Sequence, residues 1–326
     1  MAIESVARTV IATCLNIKPG ERVIVIADKL REAIGKALYE AAREITESFF
    51  LVMPVGKIDS DEPPQEIADV IKNFDVVIAP TTYSLSHTKA IVEARKNGAR
   101  VVTLPGINEE MFLRAVDTDY DKLRRFTDEI ADKFIGINTI RITSEKGTNI
   151  EFSIEGRTAL RMNGLAHRAG SLINLPDGEV AFAPVEGSAN GIAVIDGSMV
   201  PDQDTGYGVI GKIIDPIKIT FQNGKAIKIE GGREAAILKE VISKSDENAF
   251  LLGEFGVGTN PNAILTGEVL EDEKVLGTAH IALGSNRSFG GIIQSNVHLD
   301  GVILSPKIYL DGKEFVVPKI SVSEIK

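Results

Sequence analysis

The chain has 326 residues, a length that suits two domains of ordinary size better than a single core. Hydrophobic residues make up 44% and charged residues 25%, values that exclude a disordered or fibrous protein. Lysine and arginine number 36 against 46 aspartates and glutamates, and the resulting charge of −10 argues against nucleic acid or an anionic membrane as partner.

The N-terminus, Met1-Ala2-Ile3-Glu4-Ser5, lacks a basic segment ahead of an apolar one and does not read as a signal peptide. Apolar stretches such as residues 49–55 fall far short of the roughly 20 residues that span a membrane. A cytoplasmic protein is therefore expected. Cys14, the single cysteine, cannot form an intrachain disulfide and shares a helical stripe with Ile3, Val6, Val10 and Ile11, which puts it in a core.

Residues 22–28 form a β-branched run after the Pro19-Gly20 turn, and a helix is expected over 30–47 with Ile34, Leu38 and Ala41 on its apolar face. Similar runs recur at 49–55, 75–79 and 100–104. This alternation predicts a parallel sheet, and the uniformly apolar strands predict burial on both faces. The turn after the first run, residues 28–31, has no glycine, and no phosphate-binding loop motif occurs, so this part reads as scaffold instead of nucleotide site. Its suggestive loop is 80–88, at the carboxyl end of the third run, where ligands gather in open sheets. There His87 is a tentative substrate contact; the structural alternative is a helix capped by Ser84 or Ser86, with His87 solvated.

A helical pattern over 119–135, with Tyr120, Leu123, Phe126, Ile130 and Phe134, leads to strand periodicity at 139–143. Five of the 30 glycines lie in residues 1–135, which implies different backbone rules beyond that point and a boundary near Gly136. The expected domains are thus a β/α scaffold, 1–135, and a β-rich domain, 136–326. Short strand-like runs separated by Lys146-Gly147, Asp177-Gly178, Asn223-Gly224 and Asp311-Gly312 predict a curved sheet or barrel-like second domain with one helix over 233–245.

Polar residues interrupt these strands. His298 and Asp300 lie two apart, hence on one strand face. His280, Glu254 and Glu179 sit in apolar or small-residue runs, where an imidazole or carboxylate needs a partner. Together they suggest a divalent metal site. Imidazole and carboxylate without thiolate suit zinc, cobalt, manganese or iron, and five ligands favour two ions that could serve hydrolysis. His167, in residues 164–168, is either a surface-loop residue or a group that orients substrate.

The segments Asn174-Leu-Pro-Asp-Gly-Glu179, Leu252-Gly-Glu254, His280-Ile-Ala-Leu-Gly284 and His298-Leu-Asp300 resemble the aminopeptidase T family of metallopeptidases. Lys18-Pro-Gly-Glu21, residues 81–88 and residues 98–105 are similar to it as well, so the resemblance spans nearly the whole chain. It implies a β/α domain, a β-rich metal-binding domain, a homodimer and removal of N-terminal residues from peptides by two divalent ions. The family's metal ligands fall on Glu179, Glu254, His280, His298 and Asp300, with Glu254 or Glu179 as general base. Its tyrosine ligand, seven residues after the first histidine, is here Arg287, which has no lone pair for a cation. Arg287 is then a tentative substrate group, pairing with a carboxylate, or the partner of a glutamate. The departure opens a second class. His280, His298 and Asp300 alone form the two-histidine, one-carboxylate set of Fe(II) oxygenases, and the dihydroxypyridine ring-cleaving dioxygenases of the same superfamily have iron ligands at equivalent positions. A metal-stabilised dimeric binding protein is the non-enzymatic alternative.

Overall fold

Strands that are apolar at every position need cover on both faces, and the N-terminal unit of the computed structural model supplies it. The structure describes residues 2–201 and 206–318. One unit comprises the chain up to Arg124 together with Asn163–Asp177; the other comprises Arg125–Met162 and the chain from Gly178 onward. The first holds a five-stranded parallel sheet ordered Ser48–Met53, Val23–Asp28, Val76–Ala79, Arg100–Thr103 and Leu172–Asn174. Val23, Val25, Val76, Ile78 and Val102 face one hydrophobic cluster, and Ile24, Ile26, Val77, Ala79 and Val101 face another. Cys14 is buried in the first of these. Two-sided burial fails at Ser48–Met53, where Phe49 and Val52 are exposed, because this strand is the sheet edge.

The helix expected over 119–135 runs Tyr120–Asp132, and the division between the units falls within it, not at residue 135. Its apolar stripe is shared: Tyr120 and Leu123 belong to the N-terminal core, Phe126, Ile130 and Phe134 to the C-terminal one. The chain also returns to the first unit at 163–177 to add Leu172–Asn174 as fifth strand, a three-residue element too short to show a period.

In the second unit the expected curved sheet takes the form of two seven-stranded sheets around one hydrophobic core. The first is ordered Lys225–Glu230, Ile217–Gln222, Asn190–Ile195, Asn149–Ser153, Thr139–Thr143, Lys307–Leu310 and Lys313–Phe315. The second is ordered Gly211–Lys212, Ser198–Met199, His298–Ile303, Ala279–Gly284, Leu252–Gly258, Glu179–Phe182 and Leu160–Met162. The expected helix is present as Arg233–Ser243. Among the described residues no helix is long and apolar enough to cross a membrane.

Candidate metal centre

Four adjacent antiparallel strands of the second sheet carry the five ligand candidates expected from the sequence. Directly opposite residues share a face, so the pairings Ala282↔Asp300, Gly284↔His298, Gly256↔His280, Glu254↔Ala282 and Gly258↔Glu179 set all five polar residues on one side. Residues of the opposite parity, Val180, Phe255, Val257, Ile281, Leu283 and Leu299, enter the hydrophobic core. The polar face is otherwise small: Ala181, Gly256, Gly258, Ala282 and Gly284 stand between the ligands. Gly256 is required by close approach, since a Cβ there would lie 2.1 Å from His280 Nε2. A register shift between Leu252 and Glu254 bulges the strand beside the glutamate and aims its side chain.

His280 Nε2 lies 3.4 Å from both Glu179 Oε2 and Glu254 Oε1, and His298 Nε2 lies 2.8 Å from Glu254 Oε2 and 3.2 Å from Asp300 Oδ1. Two groups could each hold a cation: Glu254, His298 and Asp300, and Glu179, Glu273 and His280, with ligand atoms within 4.8 Å of one another. Glu179 Oε2, Glu254 Oε2 and Asp300 Oδ1 are buried, and their close partners are the ion-pair contacts to Lys274 and the two imidazoles. So many buried carboxylates converging on two imidazoles are costly unless further positive charge is shared among them, and the residues therefore fit a divalent metal. His298 Nδ1 is 2.7 Å from the Ser285 carbonyl oxygen; donating there leaves the Nε2 lone pair for a metal. With two imidazoles, carboxylates and no thiolate, the set suits iron, manganese, zinc or cobalt.

Charge tells the same story. Burial alone would lower the pKa of His280, yet the hydrogen bond it donates to Glu254 and the charges of Glu179, Glu254 and Glu273 raise it to about 9. Burial likewise opposes protonation of His298, and Asp300 and Glu254 overcome it and hold the imidazole well above its usual range. The carboxyl of Asp300 resists the upward pull of burial because His298 holds it low. The cluster selects for positive charge at its centre.

Two members were not expected from the sequence. Glu273 and Lys274 follow the short helix Val269–Asp272, and Lys274 is buried with its Nζ 3.0 Å from Glu179 Oε2 and in contact with Glu273 Oε1. Burial raises Glu273 to about 8 against the opposing charge of Lys274. Residues 268–274, Glu-Val-Leu-Glu-Asp-Glu-Lys, look like a solvated acidic helix. The Glu271 and Asp272 carboxylates are spent on backbone amides of Ile264, Thr266 and Gly267, which turns the next two side chains inward.

The other candidates lie elsewhere. Arg287 is exposed and donates to Gln294 Oε1 at 3.1 Å, pairing with no glutamate in the cluster. From the same short turn Phe289 stacks on His298, with ring centroids 5.2 Å apart and planes 10° from parallel. His87 and His167 belong to the N-terminal unit. His87 is exposed before the helix Lys89–Lys96, whose cap is Thr88, accepting from Ile91 N, in place of the expected Ser84 or Ser86. Ser86 is instead buried against Thr103 and Asn174, a tie between the loop and two strand ends. His167 is an exposed loop residue whose Nε2 lies 2.7 Å from the Thr13 carbonyl oxygen.

The chain is similar to three known proteins. The chain is 25% identical over 254 residues to the 2,5-dihydroxypyridine 5,6-dioxygenase of Pseudomonas putida KT2440, covering 72% of this chain and 68% of that one. The solved structure of the 2,5-dihydroxypyridine dioxygenase from that strain superposes with a TM-score of 0.78 at 20% identity, over 99% of this chain and 98% of that one. Aminopeptidase AmpS of Bacillus subtilis is 25% identical over 189 residues, covering 51% of this chain and 43% of its own. AmpT from Thermus thermophilus shares the fold with a TM-score of 0.66 at 18% identity, over 96% of each chain. The resemblance to aminopeptidase T thus holds for the fold. The family model that matches, over residues 3–319, is NicX, 2,5-dihydroxypyridine 5,6-dioxygenase, and the chain belongs to that family.

Proposed function

We propose that this protein is a mononuclear Fe(II) dioxygenase that opens the ring of a dihydroxylated pyridine. The observation that carries this reading is the set His280, His298 and Asp300 on two paired strands, with the residue at the peptidase tyrosine position, Arg287, bonded to Gln294 away from it. A ferrous ion held by these three residues would supply the redox chemistry that dioxygen requires and leave positions open to substrate. Glu254, buried and 2.8 Å from His298 Nε2, is placed to accept a proton from a substrate hydroxyl beside the centre. The Ser285 carbonyl holds the His298 ring in one orientation, and Phe289 covers that ring and offers an aromatic surface for a flat substrate.

A second reading, removal of N-terminal residues from peptides, is favoured by Glu179 and Glu254, which add two carboxylates to the triad, and by the AmpS relative. In it one of these glutamates is the general base. The two readings separate when protein loaded with Fe(II) is given 2,5-dihydroxypyridine in an oxygen electrode and, in parallel, an aminoacyl anilide without oxygen. Oxygen uptake coupled to loss of the pyridine, with the anilide intact, is expected. Anilide hydrolysis without oxygen uptake would establish the peptidase. His298→Ala should reduce either activity by more than the roughly 10–100-fold typical of losing a group that merely supports a metal ligand.

A further inference from the structure

We propose that Lys274 is a built-in cation that occupies the second half of the metal centre and limits the chain to one divalent ion. The inference rests on the metal-site reading above but not on the reaction assigned to it. Lysine is among the residues least often buried, and Lys274 is 2% exposed. Its ammonium stands against Glu179 Oε2 at 3.0 Å and touches Glu273 Oε1, two of the three residues that form the Glu179–Glu273–His280 group.

The position is built. The Lys274 carbonyl accepts from Asn260 N at 2.9 Å, and its amide donates to the Glu271 carbonyl at 2.9 Å. Glycine at 258 lets that segment approach, since a Cβ there would lie 2.1 Å from the Val275 carbonyl oxygen and 2.7 Å from the Lys274 carbonyl carbon. The side chain is thus led from a fixed backbone onto the carboxylates.

Local charge and space then decide the metal count. Glu179, Glu254, Glu273 and Asp300 are four carboxylates around two imidazoles. Two divalent ions would match four negative charges. With the lysine present, one ion leaves the cluster one negative charge from balance and two ions leave it one positive charge from balance, so net charge does not choose; the second ion is disfavoured because it would sit against a like charge at carboxylates the ammonium already occupies. The ion is then kept by His280, His298 and Asp300, while the Glu179 and Glu273 carboxylates hold the ammonium. Glu179 then serves as the anchor of Lys274 instead of as a metal ligand.

The test is Mn(II) titration of the metal-free full chain, read by metal analysis after gel filtration and by electron paramagnetic resonance. Wild type should bind one Mn(II) with the spectrum of an isolated ion. Lys274→Ala should bind two, with the broadened spectrum of an interacting pair, and its melting temperature should rise more on adding Mn(II) than that of wild type. Lys274→Arg should stay at one. Two ions in wild type overturn the proposal without any variant, which keeps it falsifiable should Lys274→Ala not fold. One ion in both wild type and Lys274→Ala overturns it while leaving the metal-site reading intact, and no binding by either overturns both. An absence of oxygen chemistry with this pattern of stoichiometry would remove the dioxygenase reading and leave the lysine's role standing.

Discussion

The parallel sheet of the N-terminal unit and the site sheet of the C-terminal unit use the same two-residue alternation for opposite ends. In the first, odd and even positions both enter hydrophobic clusters, as with Val23 and Val25 on one side and Ile24 and Ile26 on the other. In the second, one parity builds the core while the other carries histidines and carboxylates spaced by glycine and alanine. The difference teaches that a sheet becomes a metal centre by emptying one of its faces of bulk, which leaves room for ligands from four strands and places their charges over a rigid apolar floor.

Glycine substitutions break this comparison most directly. Gly256→Ala would drive a methyl into His280 Nε2, so metal affinity should fall about 10–100-fold, as when a metal ligand loses its orientation, measured by competition with a fluorescent chelator. Gly35→Ala is its N-terminal counterpart. There the added Cβ would meet Ala27 Cβ at 2.7 Å and Phe50 at 2.9 Å. Overpacking of about 1–3 kcal/mol, offset by a helix-propensity gain of about 1 kcal/mol, should lower stability by roughly 1 kcal/mol in urea. Metal stoichiometry should not change. A loss of metal with Gly35→Ala would mean that the scaffold and the centre are not separable.

Acidity offers a gentler probe of the same contrast. Because His280 is raised to about 9 in the folded chain, its proton stabilises the metal-free protein fully below about 6.5 and ceases to do so as pH rises through 9. Glu273, raised from 4.5 to about 8, acts in the same direction at lower pH. The metal-free protein should therefore lose stability between about pH 5 and 9. Metal must displace the His280 proton, so affinity should climb at least about tenfold per pH unit up to about 9. Opposite slopes for the metal-free melt and for metal affinity are the signature to seek; parallel slopes would contradict the assigned cluster. The smallest effect belongs to Arg287→Ala. With the guanidinium exposed and held by Gln294, metal affinity should be unchanged and stability should move within about 0.5 kcal/mol.

The five ligand-type residues were legible because each breaks an apolar or small-residue strand pattern, and burial makes such breaks expensive enough to mean something. Glu273 and Lys274 were not legible. They end an acidic run that reads as solvated, and their burial depends on Glu271 and Asp272 being consumed by backbone amides of residues 264–267. Leu172–Asn174 was likewise hidden, because a three-residue strand has no period to read and its identity comes from pairing with Arg100–Thr103.

Local pattern in the chain determined the β/α alternation, the change to glycine-punctuated strands and the identity of the histidines and carboxylates, since periodicity and the cost of burying charge act over a few residues. Tertiary structure decided what periodicity cannot encode. Strand order made neighbours of residues 179, 254, 280 and 298–300, the helix Tyr120–Asp132 was divided between two cores, Arg287 was turned toward Gln294, and Lys274 was brought against Glu179. The physical reason is that register and long-range electrostatics depend on which strands meet, and that is settled by packing the whole core.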